Sequence, residues 1–387
     1  MLDLARQYTP IREEILAALA EVLDQRQFIL GQPVTAFERA ATAALGVAEA
    51  IGCASGTDAL WLALAAAGVT PEFGSKSEEQ PAVVTTPFSF FASVSSIVRA
   101  GAKPLLADID PVTFNLDPKA VRRLLEENRA NSSSVRAVLP VHLYGQCADW
   151  TGFSALGKEF GVILIEDAAQ AWGASWQGRP AGGLGAIAAF SFYPTKNLSA
   201  AGDAGMVTTN DPVLAERAKM LRQHGMRVRY EHDEIGWNAR MDGFQGAVLA
   251  VNLRHLPERA RLRCQAAERY HQLFAEAGLA ESGVYPGRGV VLPKTLAGNH
   301  PVWHQYVIRT ARRDELRAHL TARQIGSEVY YPIPLHLQKS LAWMGYAEGA
   351  FPEAERASRE VLALPIFPEI RADEQKRVVD AIADFLS

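Results

Sequence analysis

The chain has 387 residues and 48% apolar against 21% charged side chains, which excludes a disordered polypeptide. At that length surface scaling lets about three quarters of the unfolded area be buried, so a core can form without disulfides or a structural metal. With 39 basic and 43 acidic residues, a net charge of −4, a general nucleic-acid binder and a polybasic membrane anchor are argued against.

Met1 to Arg6 shows no basic segment leading into an apolar one, so no signal peptide is expected. Residues 11–24 place Ile11, Ile15, Leu19, Val22 and Leu23 at helical spacing, and a second helix is expected over 34–45. Ile51 to Asp58 reads as a small-residue turn that feeds a helix stopping at Gly68. The most apolar stretch, Leu60 to Val69, is too short to span a membrane. Short runs rich in Val, Ile and Leu then recur at 82–86, 104–109, 136–144, 161–167, 186–192 and 204–209, with helical segments at 117–127 and 151–160 between them. Continuous apolar strands joined by helical crossovers predict an α/β protein with a largely parallel sheet covered on both faces. Polar stretches at 71–81 and 128–134 read as surface loops. Beyond residue 254 the rhythm changes to a long helix (257–277), a strand (304–309) and helices at 313–323 and 373–386. A boundary near 255 divides the chain into 1–254 and 255–387. Cys53, Cys147 and Cys264 are far apart and match no metal-ligand spacing, so no metal site is expected, and an odd number of thiols fits a reducing cytoplasm.

Three groups at strand ends carry chemistry, where open α/β sheets bind ligands. Ser55-Gly56-Thr57-Asp58 precedes a helix, and its free N–H groups suit a phosphate; Thr57 or Asp58 as an ordinary helix cap is the alternative. Asp167 follows the apolar run Val162 to Ile165, where a carboxylate needs a cationic partner, or else caps the next helix. Lys196 follows the run 186–192, where an amine of lowered pKa can act as a nucleophile, or else it reaches out to solvent. An anion cradle, a carboxylate and a lysine in this order are what pyridoxal 5'-phosphate needs for its phosphate, its pyridine nitrogen and its aldehyde.

These residues lie within longer motifs. They are Phe28-Ile29-Leu30-Gly31, Gly56-Thr57-Asp58-Ala59-Leu60, Asp108-Ile109-Asp110, Pro140-Val141-His142-Leu143-Tyr144-Gly145, Glu166-Asp167-Ala168-Ala169-Gln170, Ser191-Phe192-Tyr193-Pro194-Thr195-Lys196-Asn197-Leu198, Gly236-Trp237-Asn238-Ala239-Arg240-Met241-Asp242 and Tyr331-Pro332-Ile333-Pro334-Leu335. Along nearly its whole length the chain resembles the sugar aminotransferases of the DegT/DnrJ/EryC1/StrS family. The resemblance implies the pyridoxal-phosphate fold type I: a large domain whose mostly parallel seven-stranded sheet is sandwiched by helices, and a smaller α+β C-terminal domain. It implies Lys196 as the Schiff-base lysine, Asp167 as partner of the pyridine nitrogen and Gln170 near the cofactor's 3-hydroxyl. Gly56, Thr57 and Ser191 would hold the phosphate, with Asn238 reaching it from the other subunit of a homodimer with shared sites. Phe90 stands where the family's ring-stacking aromatic does, with core packing as its alternative. Tyr193, Arg240, Tyr330 and Tyr331 are the candidates for the sugar and its diphosphate.

The implied reaction moves an amino group from L-glutamate to a nucleotide-linked (dTDP or UDP) ketosugar. C3 is favoured over C4, because 4-keto enzymes of the family more often carry His where Tyr193 stands. Relatives that dehydrate or deoxygenate with the same cofactor carry His at the position of Lys196. A non-catalytic homologue that senses cofactor or sugar is the remaining alternative. Gly183-Leu184-Gly185-Ala186-Ile187-Ala188 fits a dinucleotide fingerprint in letters but precedes a strand instead of following one. After the lysine the family often has Gly-Ala-Tyr-Gly-Asp-Gly-Gly; here Ala201 replaces the Tyr and Ala204 a Gly, a change that would reshape the sugar pocket.

Overall fold

The computed structural model describes residues 1–70, 80–130 and 135–387. Seven strands form one sheet: β1 (Glu49–Cys53), β2 (Ala82–Thr85), β3 (Lys103–Leu106), β4 (Val135–Val138), β5 (Ile163–Asp167), β6 (Ile187–Ser191) and β7 (Gly205–Thr209), in the order β1-β7-β6-β5-β4-β2-β3. Only β7 runs antiparallel to its neighbours. Strands β2 and β7 are buried along their whole length, so their apolar runs carry no alternation. After a five-residue helix at Leu4–Tyr8, the main helices before residue 230 are α1 (Arg12–Gln25), α2 (Gly31–Leu45), α3 (Gly56–Ala66), α4 (Ala92–Arg99), α5 (Pro118–Ala130), α6 (Trp150–Phe160) and α7 (Pro212–Leu221). Helix α3 packs on β6 and β7 and is buried from Ala59 to Ala66, which explains why its sequence is apolar all round.

The chain then enters α8 (Gly243–Glu276). Its first half packs Leu249 and Leu256 into the core beside the sheet; its second half packs Ala266, Tyr270 and Phe274 into a separate core. That second core surrounds β8 (Tyr306–Arg309), paired antiparallel with β9 (Val361–Leu364), and includes side chains of α9 (Arg313–Ala322), α10 (Pro352–Glu360) and α11 (Ala372–Leu386).

Several expectations need correction. Residues 49–53 are a strand, not part of a turn; their pairing with β7 (Ile51 opposite Val207) outweighs a sequence poor in β-branched residues. The long helix starts at Gly243 and not at 257, running through Pro257 while packed against α1 and α2; the boundary drawn near 255 therefore falls within a continuous helix. The run 136–144 is a strand only to Val138, after which residues 143–145 form a 3-10 turn. The run 104–109 leaves the sheet after Leu106. Residues 71–79 and 131–134 of the two polar stretches lie outside the described residues, and 128–130 continue α5 instead of forming a loop.

The Gly183–Gly185 turn has a structural task. The N–H groups of Gly182, Leu184 and Gly185 donate to the buried carboxylate of Glu166 at 2.7, 2.8 and 2.7 Å. His142 Nδ1 accepts from Ala148 N–H at 3.1 Å, so its proton sits on Nε2 and donates to Glu166 at 3.0 Å. Four donors on one carboxylate satisfy a charge that burial alone would forbid, and they fix the end of β5 from behind.

Candidate active site

The three strand-end groups meet at one edge of the sheet. Strands β1, β5 and β6 point the same way, so Ser55, Asp167 and Lys196 all follow or occupy carboxyl ends, the edge where such sheets bind ligands. At the first, Ser55 is the cap of α3: its Oγ accepts from Asp58 N–H at 3.1 Å. Neither Thr57 nor Asp58 is the cap. The N–H groups of Gly56 and Thr57 belong to the first turn and have no intrahelical acceptor. A Cβ on Gly56 would lie 2.5 Å from Ser191 Cβ, and one on Gly205 would lie 2.2 Å from Ser55 O. Both glycines thus bring the helix start against the ends of β6 and β7.

Asp167 ends β5 and is buried. No helix follows it, so it is not a helix cap. Its Oδ2 accepts from Ser93 Oγ–H at 2.7 Å and its Oδ1 from Ala169 N–H at 3.2 Å. Burial raises its carboxyl above the usual carboxylate range; the Ser93 bond, the Ala169 N–H and the nearby Lys196 charge oppose that rise. Lys196 sits in the turn after β6, half-buried, with its own N–H bonded to Tyr193 O at 2.8 Å. Burial lowers its amine to about 8, against the attraction of Asp167. The next residue is clamped: Asn197 Nδ2 donates to Val302 O at 2.9 Å, and its Oδ1 lies 3.3 Å from His304 Nδ1. Burial, then the Lys196 and Arg263 charges, hold His304 well below the ordinary histidine value, a neutral neighbour for the lysine.

Gln170 joins two distant segments. Its Oε1 accepts from Tyr144 N–H at 2.7 Å, and its Nε2 donates to the Tyr331 hydroxyl at 3.1 Å. Tyr144 in turn donates its hydroxyl to Tyr330 O. Phe90 is 60% exposed with its ring 6.4 Å from that of Tyr331, so it is not core packing. Tyr193 is exposed beside the lysine turn, its N–H 3.4 Å from Ser191 Oγ. Asn238 and Arg240 flank the buried Ala239, whose O accepts from Ala54 N–H at 3.0 Å. Among the described residues Asn238 bonds Arg240 Nε, at 3.1 Å, and neither side chain meets Asp167, Gln170 or Lys196. Ser89, Ser93, Tyr144, Asn197 and His304 were not singled out as site residues from the sequence; the fourfold spacing of Ser89 and Ser93 was the only local signal for the first two.

Residues 9–383 match the sequence profile described as the DegT/DnrJ/EryC1/StrS aminotransferase family. The chain belongs to the DegT/DnrJ/EryC1/StrS aminotransferase family. It is 46% identical over 385 residues to the pleiotropic regulatory protein of Geobacillus stearothermophilus, covering all of this chain and 98% of that one. It is 41% identical over 384 residues to the dTDP-3-amino-3,4,6-trideoxy-alpha-D-glucose transaminase of Streptomyces venezuelae, covering 99% of this chain and 95% of the relative. Among solved structures, S. venezuelae DesV in complex with a ketimine intermediate superposes with a TM-score of 0.90 at 40% identity, over 100% of this chain and 97% of that one. The fold is therefore that of the fold type I aminotransferases, and the family cofactor is pyridoxal phosphate. The residues present fit it: unpaired N–H groups at a helix start opened by Gly56, a buried carboxylate and an amine lowered to about 8. Among the described residues no cluster of His, Cys, Asp or Glu could hold a metal ion, and no helix is long and apolar enough to cross a membrane.

Proposed function

We propose that this aminotransferase moves an amino group from L-glutamate to C3 of a dTDP- or UDP-linked 3-ketosugar. The observation that carries the reading is the convergence of the α3 start, Asp167 and Lys196 on one sheet edge. Pyridoxal phosphate, when bound, carries the amino group and takes up the electrons left when a proton leaves carbon. Gly56 and Thr57 N–H groups with the Ser191 hydroxyl would hold its phosphate, Asp167 would keep its ring nitrogen protonated, Gln170 would sit at the 3-hydroxyl and Phe90 against the ring. Lys196 Nζ would hold the aldehyde carbon and, once displaced by the donor, take the proton from the donor's Cα and hand it on as general base and acid. Free thiols at Cys53, Cys147 and Cys264 fit a reducing cytoplasm.

Tyr193, Tyr330, Tyr331 and Arg240 would face the sugar nucleotide, Arg240 through the bidentate match of guanidinium and phosphate. Support for C3 is the Tyr at 193 and the 3-amino product in the Streptomyces relative's name. With L-glutamate and matched 3-keto and 4-keto nucleotide sugars, NMR of the product is expected to place nitrogen on C3; nitrogen on C4 alone would refute the position and leave the aminotransferase intact. A sensing role without turnover draws on the regulatory name of the Geobacillus relative. The joint presence of Lys196, Asp167 and Gln170 argues for catalysis, and absence of product from every sugar tested would favour sensing.

The active form is proposed to be a homodimer in which Asn238 serves the partner's phosphate. Its side chain leaves its own site unattended, and Phe28, Ile29 and Trp237 stand exposed. Mixing inactive Lys196→Ala with inactive Asn238→Asp subunits is expected to restore part of the activity, since one of the two mixed sites would carry both native residues. No recovery on mixing would contradict shared sites.

A further inference from the structure

The carboxylate at the end of β5 is held by residues from elsewhere in the chain. Ser89 and Ser93 are both buried, on the loop before α4 and in its first turn. Their hydroxyls lie 2.9 Å apart, and Ser93 Oγ lies 2.7 Å from Asp167 Oδ2. An ionised carboxylate only accepts, so Ser93 must donate to it. That uses the one proton Ser93 has, so Ser89 must donate to Ser93. The relay has a single direction, Ser89 to Ser93 to Asp167. Ser93 is also bonded through its backbone N–H to Phe90 O at 3.2 Å. One residue therefore ties the carboxylate to the segment that carries the exposed Phe90.

We infer that Ser93 is a positioning residue that fixes the rotamer and the charge of Asp167 for the cofactor's ring nitrogen, with Ser89 locking Ser93 in turn. The inference rests on reading the site as a pyridoxal-phosphate pocket. The opposing bond on Oδ1, from Ala169 N–H, is the longer of the two at 3.2 Å, so the serine is the firmer hold. Without it the carboxylate could turn about its last torsion, and its charged form would lose a donor in a site where burial already opposes charge. Ser93 touches no reacting atom; it acts through Asp167.

The test separates this role from packing. Cofactor-free full-length protein is titrated with pyridoxal phosphate and with its 1-deaza analogue, which lacks the ring nitrogen. Ser93→Ala is expected to weaken pyridoxal phosphate binding about ten- to a hundredfold, the range for a hydrogen bond to a charged group, and to leave the deaza analogue's affinity unchanged. Ser93→Thr, which keeps the hydroxyl, is expected to restore pyridoxal phosphate affinity, and Ser89→Ala to give a smaller loss than Ser93→Ala. Equal weakening of both ligands, or of neither, would overturn the inference. Failure of the wild-type chain to bind pyridoxal phosphate would instead overturn the cofactor reading on which it rests.

Discussion

Replacing Lys196 by alanine is expected to abolish transamination while the fold survives. The side chain is half-buried in the turn after β6 and its amine makes no hydrogen bond among the described residues; the turn is held by the Lys196 N–H to Tyr193 O bond and by the Asn197 clamp on Val302 and His304. In the proposed mechanism, removing the amine would take away the covalent anchor and the proton carrier together. General acid–base catalysis alone is worth about 10²–10⁴-fold, so the combined loss should exceed about 10³-fold in kcat. The lowered amine adds a pH signature. A value of about 8 leaves half the amine neutral near pH 8, so capture of pyridoxal phosphate by the cofactor-free chain should speed up with pH and level off above that value. An ordinary lysine would go on gaining past pH 10. Stopped-flow absorbance of the wild type reads the midpoint, and turnover of the alanine variant without added amine would sink the assignment.

Much of this site could be read in the chain because its main groups come within a few residues of the end of an apolar run. Asp167 ends β5 and Lys196 lies in the turn just after β6, and a charge that soon after an apolar run is a local signal. What could not be read is what surrounds them. Ser93 comes from 74 positions before Asp167 and Tyr331 from 161 after Gln170, and no spacing rule joins residues so far apart. The fold shows the same division. β5 and β6 announce themselves by composition, whereas Glu49–Cys53 becomes a strand only because β7 lies beside it. Gly52 there packs against Met241 and Val34, where a Cβ would lie 3.0 Å from the methionine sulfur, so the glycine that looks like a turn residue is a packing residue. Gly243, Gly246 and Pro257 likewise hide the first half of α8, which is held by packing against α1 and α2 instead of by propensity.

Asp167→Asn is expected to keep the fold and lose most of the turnover. In the working enzyme the carboxylate would face a protonated ring nitrogen, and breaking a buried charge pair costs about 3–5 kcal/mol, which corresponds to about 10²–10⁴-fold in kcat. Stability should move the other way. Burial raises the folded carboxyl above its unfolded value, so this group's contribution is fully present below the unfolded value and is lost as pH rises through the folded one. Burial opposes the charged form of this carboxyl, a cost the neutral amide does not meet, and Ser93 can still donate to an amide oxygen at the Oδ2 position, with only the longer Ala169 contact to Oδ1 given up. The Tm of the cofactor-free Asn variant should equal or exceed that of the wild type, while the gain in Tm on adding pyridoxal phosphate shrinks. A carboxylate kept only for structure would show the reverse, a lower Tm without cofactor and an unaltered kcat, and wild-type turnover in the Asn variant would remove Asp167 from the chemistry.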